Sequence, residues 1–335
     1  MIAGPVKLVR RRLERIRRRA RRAAEPHGLV LMYHRVGAAA VDPWRLCVSA
    51  ERFASQLARL SERADIVGLD ALRGALRAGR DARPVVAITF DDGYVDNLEV
   101  AKPILRERSA PATVFLTTGY VDGAKPFWWD SLAAATLAGH SLPAQVHLDA
   151  AGASFAWIDP ALERTDRRGA AARRRLHDRL WTWLSELDST AREETIRELE
   201  AWIPQATQAG GGARPMTAAE VRDLVSDGVL TIGAHTVSHC MLSRLSTADK
   251  VAEIERSRDD CRRLAGREPT CFAYPHGDLD GESIELVRAA GFRLACTSRP
   301  ELVWSDTDPY TIPRVMVGDW TADQLIDRLD REWLP

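Results

Sequence analysis

The chain is poor in cysteine and contains no long apolar segment, and each shortage excludes a class of protein. Its five cysteines are an odd number, are scattered and form no CxxC pair: Cys47, Cys240, Cys261, Cys271 and Cys296. That pattern argues against a disulfide framework and against a structural zinc cluster, so we expect small core residues in a reducing compartment. No run approaches roughly 18 apolar residues, which excludes a membrane-spanning helix, and the amino terminus lacks the apolar segment of a secretory signal. We therefore expect a cytoplasmic location.

Charge of one sign is also not in excess. The 47 Lys and Arg residues balance 47 Asp and Glu residues, so the formal net charge is zero. This balance gives no reason to expect a nucleic-acid partner. A chain of 335 residues with 45% hydrophobic residues is long enough for one α/β barrel with an insertion, or for two domains.

One basic segment interrupts the charge balance. Residues 6–24 carry ten Lys and Arg side chains against the single acid Glu14, and their apolar residues recur at helical spacing. We expect residues 1–27 to form a basic amphipathic arm that contacts an anionic membrane peripherally, at the inner face. The alternative is a solvated helix packed on the domain, or a tail that is partly disordered.

Apolar runs alternate with helical patterns along most of the chain. Strands are predicted at 28–36, 66–69, 84–90, 112–118, 229–235, 270–275, 292–298 and 312–317, with helices between them. This alternation predicts a parallel α/β fold, a distorted (β/α) barrel of about seven strands formed by residues 28–123 and 216–335. Residues 124–215 break the rhythm and predict a mostly helical insertion, with a hairpin at 145–158, in one βα loop of the active-site face.

Two short motifs each end a predicted strand. AITFDDGY places Asp91 and Asp92 side by side, which is costly at a strand end unless a cation or a proton compensates. IGAHTVSH places His235 and His239 four residues apart, a spacing that points both imidazoles the same way. On its own, the Asp92-Gly93 dipeptide is equally typical of an ordinary surface turn. Together the motifs predict a divalent metal held by two histidines and one carboxylate, with the second carboxylate free as a base.

Three motifs, in their order along the chain, resemble those of a known protein family. TFDDGY, HTVSH and FAYPHGDLD resemble the first three motifs of carbohydrate esterase family four, the polysaccharide deacetylases with a NodB homology domain. LMYHRV resembles the segment that one subgroup carries ahead of the first motif. The resemblance covers residues 28–122 and 216–330 and implies a hydrolase that removes an N-acyl group, above all N-acetyl, from an amino sugar. Because the sequence shows a basic arm and no secretion signal, we expect a lipid-linked or nucleotide-linked precursor at the cytoplasmic membrane face, used in envelope or exopolysaccharide assembly; a polysaccharide substrate is the alternative.

The resemblance also implies roles for single residues. Asp92 would bind the metal with His235 and His239, and Asp91 would be the general base toward water. The ion would be Zn²⁺ in the first place, while Co²⁺, Ni²⁺ and Fe²⁺ also suit two nitrogens and one carboxylate.

The third motif would supply the oxyanion donor. This is the backbone N–H of His276, in a loop fixed by Pro275 and Gly277. Tyr94, which closes the first motif, is placed at the substrate side with them.

The sequence departs from the family pattern at two points. Family members use a late histidine as the general acid, but no histidine follows His276, so His34 is our first candidate and His276 the second. The family often has an arginine two residues before the motif proline, where this chain has Ala273. We expect Arg314 to hold Asp91 in its place.

Two further segments have an open function. Asp319-Trp320 resembles the Asp-Trp of a fourth motif. PFWWD at 126–130 is either a substrate wall or packing between insertion and barrel, and Asp130 could reach the rim.

Three alternatives to deacetylation remain open at this point. A deformylase or O-acyl esterase could use the same residues, since the same chemistry attacks any of these carbonyls. A catalytically inactive glycan-binding relative would fit the missing late histidine and Ala273, and a membrane-anchored scaffold would need no catalysis at all.

Overall fold

A computed structural model describes residues 25–77, 83–123, 125–203 and 214–332 of the chain. Residues 6–24, for which membrane contact is predicted, lie outside these ranges, so that contact and the cytoplasmic location stay predictions. Within the described ranges, no helix has both the length and the apolar character needed to cross a bilayer. All five cysteines are free, and four of them are buried as predicted.

Short strands alternate with helices over the described residues. The strands are β1 (His27–Tyr33), β2 (Arg35–Val36), β3 (Cys47–Val48), β4 (Asp65–Ile66), β5 (Val85–Phe90), β6 (Ala112–Leu116), β7 (Gln145–Ala150), β8 (Ala153–Ile158), β9 (Leu230–Ala234), β10 (Cys271–Ala273), β11 (Leu294–Cys296), β12 (Val303–Trp304) and β13 (Val315–Met316). The helices are α1 (Ala50–Arg63), α2 (Leu72–Leu76), α3 (Lys102–Glu107), α4 (Trp128–Leu137), α5 (Arg167–Leu184), α6 (Ser189–Glu200), α7 (Ala218–Leu224), α8 (Thr247–Ala265), α9 (Gly281–Ala289) and α10 (Ala322–Glu332).

The main sheet confirms the predicted fold class. Seven strands lie side by side in the order β11-β10-β9-β6-β5-β1-β12, and all neighbours but the last pair are parallel. The segment that leads into β13 contacts both ends of this row: Ile312 bridges Cys296 of β11, while Val315 pairs with Leu31 of β1. Few hydrogen bonds close the sheet, which makes the barrel distorted.

Strand β5 shows why the site forms where it does. All six residues of VVAITF are buried, as expected for a parallel strand covered on both faces. Phe90 lies level with Val114 of β6, and Val114 with Ile232 of β9. The residues that follow β5 and β9 therefore emerge at the same end of the sheet, two strand spacings or roughly 10 Å apart.

The insertion has an apolar core of its own. Helices α4, α5 and α6 and the antiparallel hairpin β7–β8 enclose a cluster separate from the barrel core, and Tyr94 joins it from the barrel side. Asp166 and Asp188 cap the amino ends of α5 and α6 with their carboxylates. The limits of the insertion, 124 and 215, stay predictions.

One predicted helix differs in its geometry. Residues 97–109 form a π-helical turn at Asn97–Ala101 followed by the short helix α3. Pro103 is the second residue of α3 and follows directly on the π-helical turn.

Candidate metal centre and active site

A cavity of about 350 Å³ opens at the carboxyl ends of the central strands. Its lining combines polar residues from the sequence motifs with apolar side chains, among them Trp129 and Trp181 from the insertion and Trp44 and Met316 from barrel segments. The predicted site residues therefore come to one place, apart from Tyr94 and Pro275, which do not line the cavity.

Three candidate ligands lie on the floor of the cavity. The donor atoms of Asp92, His235 and His239 all lie within 4.8 Å of one another, and the three side chains are buried. Oδ1 of Asp92 lies 3.3 Å from Nε2 of His239 and 3.8 Å from Nε2 of His235. The structure thus brings together the three residues that the motifs predicted as ligands, although Asp92 precedes the two histidines by more than 140 positions in sequence.

The two histidines are in the neutral state that can bind a cation. Nδ1 of His235 lies 2.7 Å from the carbonyl oxygen of Ala273, which leaves Nε2 with its lone pair toward Asp92. Burial lowers the pKa of His235 to about 4 and that of His239 to about 3, so both rings are neutral near pH 7.

The environment of the Asp92 carboxylate also favours a bound metal. Burial raises the pKa of Asp92, and its Oδ1 has no hydrogen-bond partner among the described residues. An unpartnered buried carboxylate oxygen facing two imidazole nitrogens is costly without a positive charge beside it. Two nitrogens and one oxygen at these distances fit a divalent transition metal such as zinc.

Asp91 has a different environment from its neighbour. Nη1 and Nη2 of Arg314 donate to its two carboxylate oxygens over 2.6 and 2.7 Å, and both side chains are buried. Burial by itself raises the pKa of Asp91, but the Arg314 guanidinium and His235 outweigh it and hold that pKa well below its usual range.

Arg314 is itself fixed in place. Its Nε donates to the carbonyl oxygen of Thr297, and Nη1 also donates to Thr89 of β5. The structure thus brings Arg314 and Asp91 together, with the small Ala273 where the family often has an arginine.

Left-handed backbone conformations concentrate around the cavity. Asp92, Thr236, His239 and His276 all have φ between 56° and 73°, although none is glycine. Each such residue costs on the order of 1–3 kcal/mol, and such strain is typical of functional sites. These turns redirect the chain at strand ends and bring motif side chains to the cavity floor.

Two side chains brace the loop that carries the histidines. Glu253 of α8 accepts hydrogen bonds from the backbone N–H groups of Val237 and Ser238 and from the Ser238 hydroxyl. Arg192 of α6 donates to the carbonyl oxygen of Ser238 over 3.1 Å and is buried. The insertion therefore holds the metal loop directly, a role that no sequence motif indicates.

The two candidate general acids both line the cavity. His34 follows β1, is half-buried, and its carbonyl oxygen accepts a hydrogen bond from Asn97. The His276 ring lies edge-on to the His239 ring at 4.6 Å, and burial holds the pKa of His276 well below its usual range. Gly277 faces Ser298 so closely that a Cβ at this position would lie 1.9 Å from Oγ of Ser298.

Tyr94 and Asp319 do not lie where they could contact a substrate in the cavity. Tyr94 is fully buried in the insertion core, so its placement at the substrate side is corrected. Asp319 accepts hydrogen bonds from Ser49 at the start of α1 instead of facing the cavity.

PFWWD lies where the cavity meets the core of the insertion. Trp129 lines the cavity, while Phe127 and Trp128 pack in the core of the insertion.

The sequence reasoning missed several residues that shape the cavity. Trp44 and Trp181, whose rings lie 5.3 Å apart, form part of its apolar wall. Arg192 and Glu253 brace the metal loop. None of the four belongs to a motif, and their positions follow from tertiary packing: Trp44 packs on Trp181 of the insertion, Arg192 lies on α6 and Glu253 on α8.

Comparison with known proteins agrees with these motifs. The model of the polysaccharide deacetylase family matches residues 78–147 and 190–295, together more than half of the chain. The Staphylococcus aureus poly-β-1,6-N-acetyl-D-glucosamine N-deacetylase is 20% identical over 119 residues, covering 33% of this chain and 41% of that protein. The matches thus span about two fifths of the curated relatives' length.

Solved structures with the same fold cover most of the chain. The Streptococcus pyogenes deacetylase PplD, in complex with acetate, is 16% identical with a TM-score of 0.58 and covers 90% of this chain and 97% of its own. IcaB from Ammonifex degensii is 19% identical with a TM-score of 0.55 and the same coverage. At these identities the likeness is one of fold.

Proposed function

The chain belongs to the polysaccharide deacetylase family, and from this membership we propose that it is a metal-dependent hydrolase that removes N-acetyl groups from an amino-sugar glycan. One observation carries the proposal. The donor atoms of Asp92, His235 and His239 converge within 4.8 Å, while both carboxylate oxygens of the adjacent Asp91 accept hydrogen bonds from Arg314. Two neighbouring carboxylates in such different environments suit two different roles.

The metal-site residues and Asp91 have separate roles in the proposed reaction. Asp92, His235 and His239 would hold the divalent ion, which would supply Lewis-acid activation of water and of the acyl carbonyl. Asp91, kept ionised by Arg314, accepts the proton that water loses. The low pKa makes Asp91 a modest base, but it ensures that the carboxylate is in the accepting form at neutral pH.

Two further groups complete the reaction. The backbone N–H of His276, in the left-handed turn after Pro275, donates to the developing oxyanion. The leaving amine needs a proton, and His34 at the edge of the cavity supplies it, in place of the late histidine that the chain lacks.

The substrate proposal rests on the relatives and on the shape of the cavity. The Staphylococcus aureus relative is named for poly-β-1,6-N-acetyl-D-glucosamine, so N-acetylglucosamine units are our first candidate. A cavity of about 350 Å³ with tryptophan faces in its lining is large enough for a sugar unit.

The test is acetate release from β-1,6-linked N-acetylglucosamine oligomers. We expect release by the metal-loaded full chain, its loss on treatment with a chelator, and its recovery when Zn²⁺, Co²⁺ or Ni²⁺ is added back. Asp91→Asn is the matched variant, because it preserves side-chain size and all three ligands. It should keep the metal and lose about 10²–10⁴-fold in turnover.

Other results would contradict the proposal in distinct ways. Formate from N-formyl sugars, or acetate from O-acetyl esters alone, would replace the deacetylase with a deformylase or an esterase. No release by either the wild type or Asp91→Asn would leave a glycan-binding protein.

A further inference from the structure

The two histidine ligands are oriented by different means. His235 has a hydrogen bond between Nδ1 and the carbonyl oxygen of Ala273, which fixes the plane of its ring. Nδ1 of His239 is buried and has no hydrogen-bond partner among the described residues. Something other than a hydrogen bond therefore holds the His239 ring with its Nε2 toward Asp92.

Three rings pack against His239, and one of them is the imidazole of His235, the other histidine ligand, at 4.9 Å between ring centroids. The Trp129 indole lies at 4.5 Å between ring centroids, and the His276 imidazole lies edge-on at 4.6 Å. Trp129 is in turn stacked on Phe127 at 4.7 Å, with the two planes within 9° of parallel. The indole is thus a fixed wall beside the ligand, and its orientation sets the space in which the His239 ring can turn.

A chain of two hydrogen bonds anchors this wall. Nε1 of Trp129 donates to Oη of Tyr94 over 2.7 Å, and the Tyr94 hydroxyl donates to Oδ2 of Asp130 over 2.8 Å. Arg35 lies over the Tyr94 ring, 5.0 Å from its centroid, and is paired with the buried Asp96. Tyr94 is two positions beyond Asp92, so this chain joins the first motif to the first helix of the insertion.

We propose that Tyr94 is a positioning residue, which through Trp129 and with Asp130 as its anchor holds the imidazole of His239 in its ligating orientation. The inference rests on the proposed function, since it assumes that His239 binds the metal. It gives Tyr94 a role in the metal site although its side chain never reaches the cavity.

The experiment measures the affinity of the full chain for Zn²⁺ alone, by competition with a chromophoric chelator. We expect Tyr94→Phe to bind Zn²⁺ about tenfold more weakly, at the lower end of the 10–100-fold range for partners that orient a ligand. Trp129→Phe, which keeps a ring but loses the indole N–H, should weaken binding similarly. The matched control is Tyr310→Phe, which loses a hydroxyl bonded to the carbonyl oxygen of Phe292 away from the cavity and should bind Zn²⁺ as the wild type does.

A second pair of variants decides the matter if Tyr94→Phe does not fold. Asp130→Asn keeps an acceptor for the Tyr94 hydroxyl and should retain Zn²⁺ affinity within about threefold, whereas Asp130→Ala should match Tyr94→Phe. Lower thermal stability with unchanged Zn²⁺ affinity in Tyr94→Phe and Asp130→Ala would show a purely structural role and overturn the inference. A wild type that binds no Zn²⁺, Co²⁺ or Ni²⁺ would instead overturn the proposed function.

Discussion

The two sides of the cavity are built on different principles. On the barrel side, charged and polar groups at strand ends are fixed by hydrogen bonds, as between Arg314 and Asp91 or between His235 and Ala273. On the insertion side, Trp129 and Trp181 pack with the separate apolar core of the insertion, and Trp129 also donates its indole N–H to Tyr94. Hydrogen bonds to buried charges set protonation, whereas apolar walls set shape.

This difference predicts that the two sides can be impaired separately. Changes on the barrel side should alter metal content, kcat or the pH profile, because these depend on charge. Changes to an insertion side chain that lines the cavity, such as Trp181, should alter KM. A side chain that contacts the substrate equally in the ground state and the transition state contributes uniform binding.

The largest effect should follow the loss of a ligand on the barrel side. We expect His235→Gln to lose its bound metal and more than about 10³-fold in kcat/KM, since the metal contributes several kcal/mol to catalysis. Metal content by elemental analysis and acetate release measure the two losses. The control is His140→Gln, a half-buried histidine of the insertion bonded to the carbonyl oxygen of Ala135. Retention of one equivalent of metal by His235→Gln would remove this residue from the ligand set.

A smaller effect is expected from the pair beside the metal. Arg314→Met leaves Asp91 buried without its partner, which should lower the free energy of unfolding by about 3–5 kcal/mol. We expect about 10²-fold lower kcat with the metal retained, because the guanidinium is bonded to none of the three ligands. Denaturant unfolding and metal analysis of the same sample separate the two outcomes.

The sign of the pH effect follows from the environment of Asp91. In the wild type Arg314 holds the pKa of Asp91 low, so the base stays ionised as the pH falls. Without the guanidinium, burial raises that pKa, and the acidic limb of the kcat/KM profile should move to higher pH. Arg314→Lys keeps the charge and should move the limb less; equal profiles for both variants and the wild type would contradict the pairing.

The difference between the barrel side and the insertion side also explains which site residues the sequence could predict. The barrel side is accessible to sequence reasoning because each of its groups follows or precedes a strand, and parallel strands bring their carboxyl ends to one edge. Even Arg314, which belongs to no motif, was predicted as the partner of Asp91 because a charge was missing at Ala273. The fold class followed from the same alternation of strands and helices.

Tyr94 shows where that reasoning stops. Continuing the first motif past Asp92 assumes that the chain keeps facing the cavity, but Asp92 and Gly93 have φ of 73° and 90° and turn it away. Trp44, Trp181 and Arg192 were missed for a related reason. Their positions depend on how the insertion packs on the barrel, and no local pattern encodes that contact.

The smallest effect, on the insertion side, is the sharpest test of the comparison. Trp181 lines the cavity, with its ring 5.8 Å from His276, while Trp183 on the same helix packs against Phe155 and does not line it. We expect Trp181→Ala to raise KM for the glycan about tenfold, equivalent to about 1.4 kcal/mol of lost contact, with kcat within about twofold. Trp183→Ala removes the same side chain from the insertion core and should leave KM unchanged. A fall in kcat at constant KM in Trp181→Ala would mean that the insertion wall acts on the reacting groups, and the separation between the two sides would then fail.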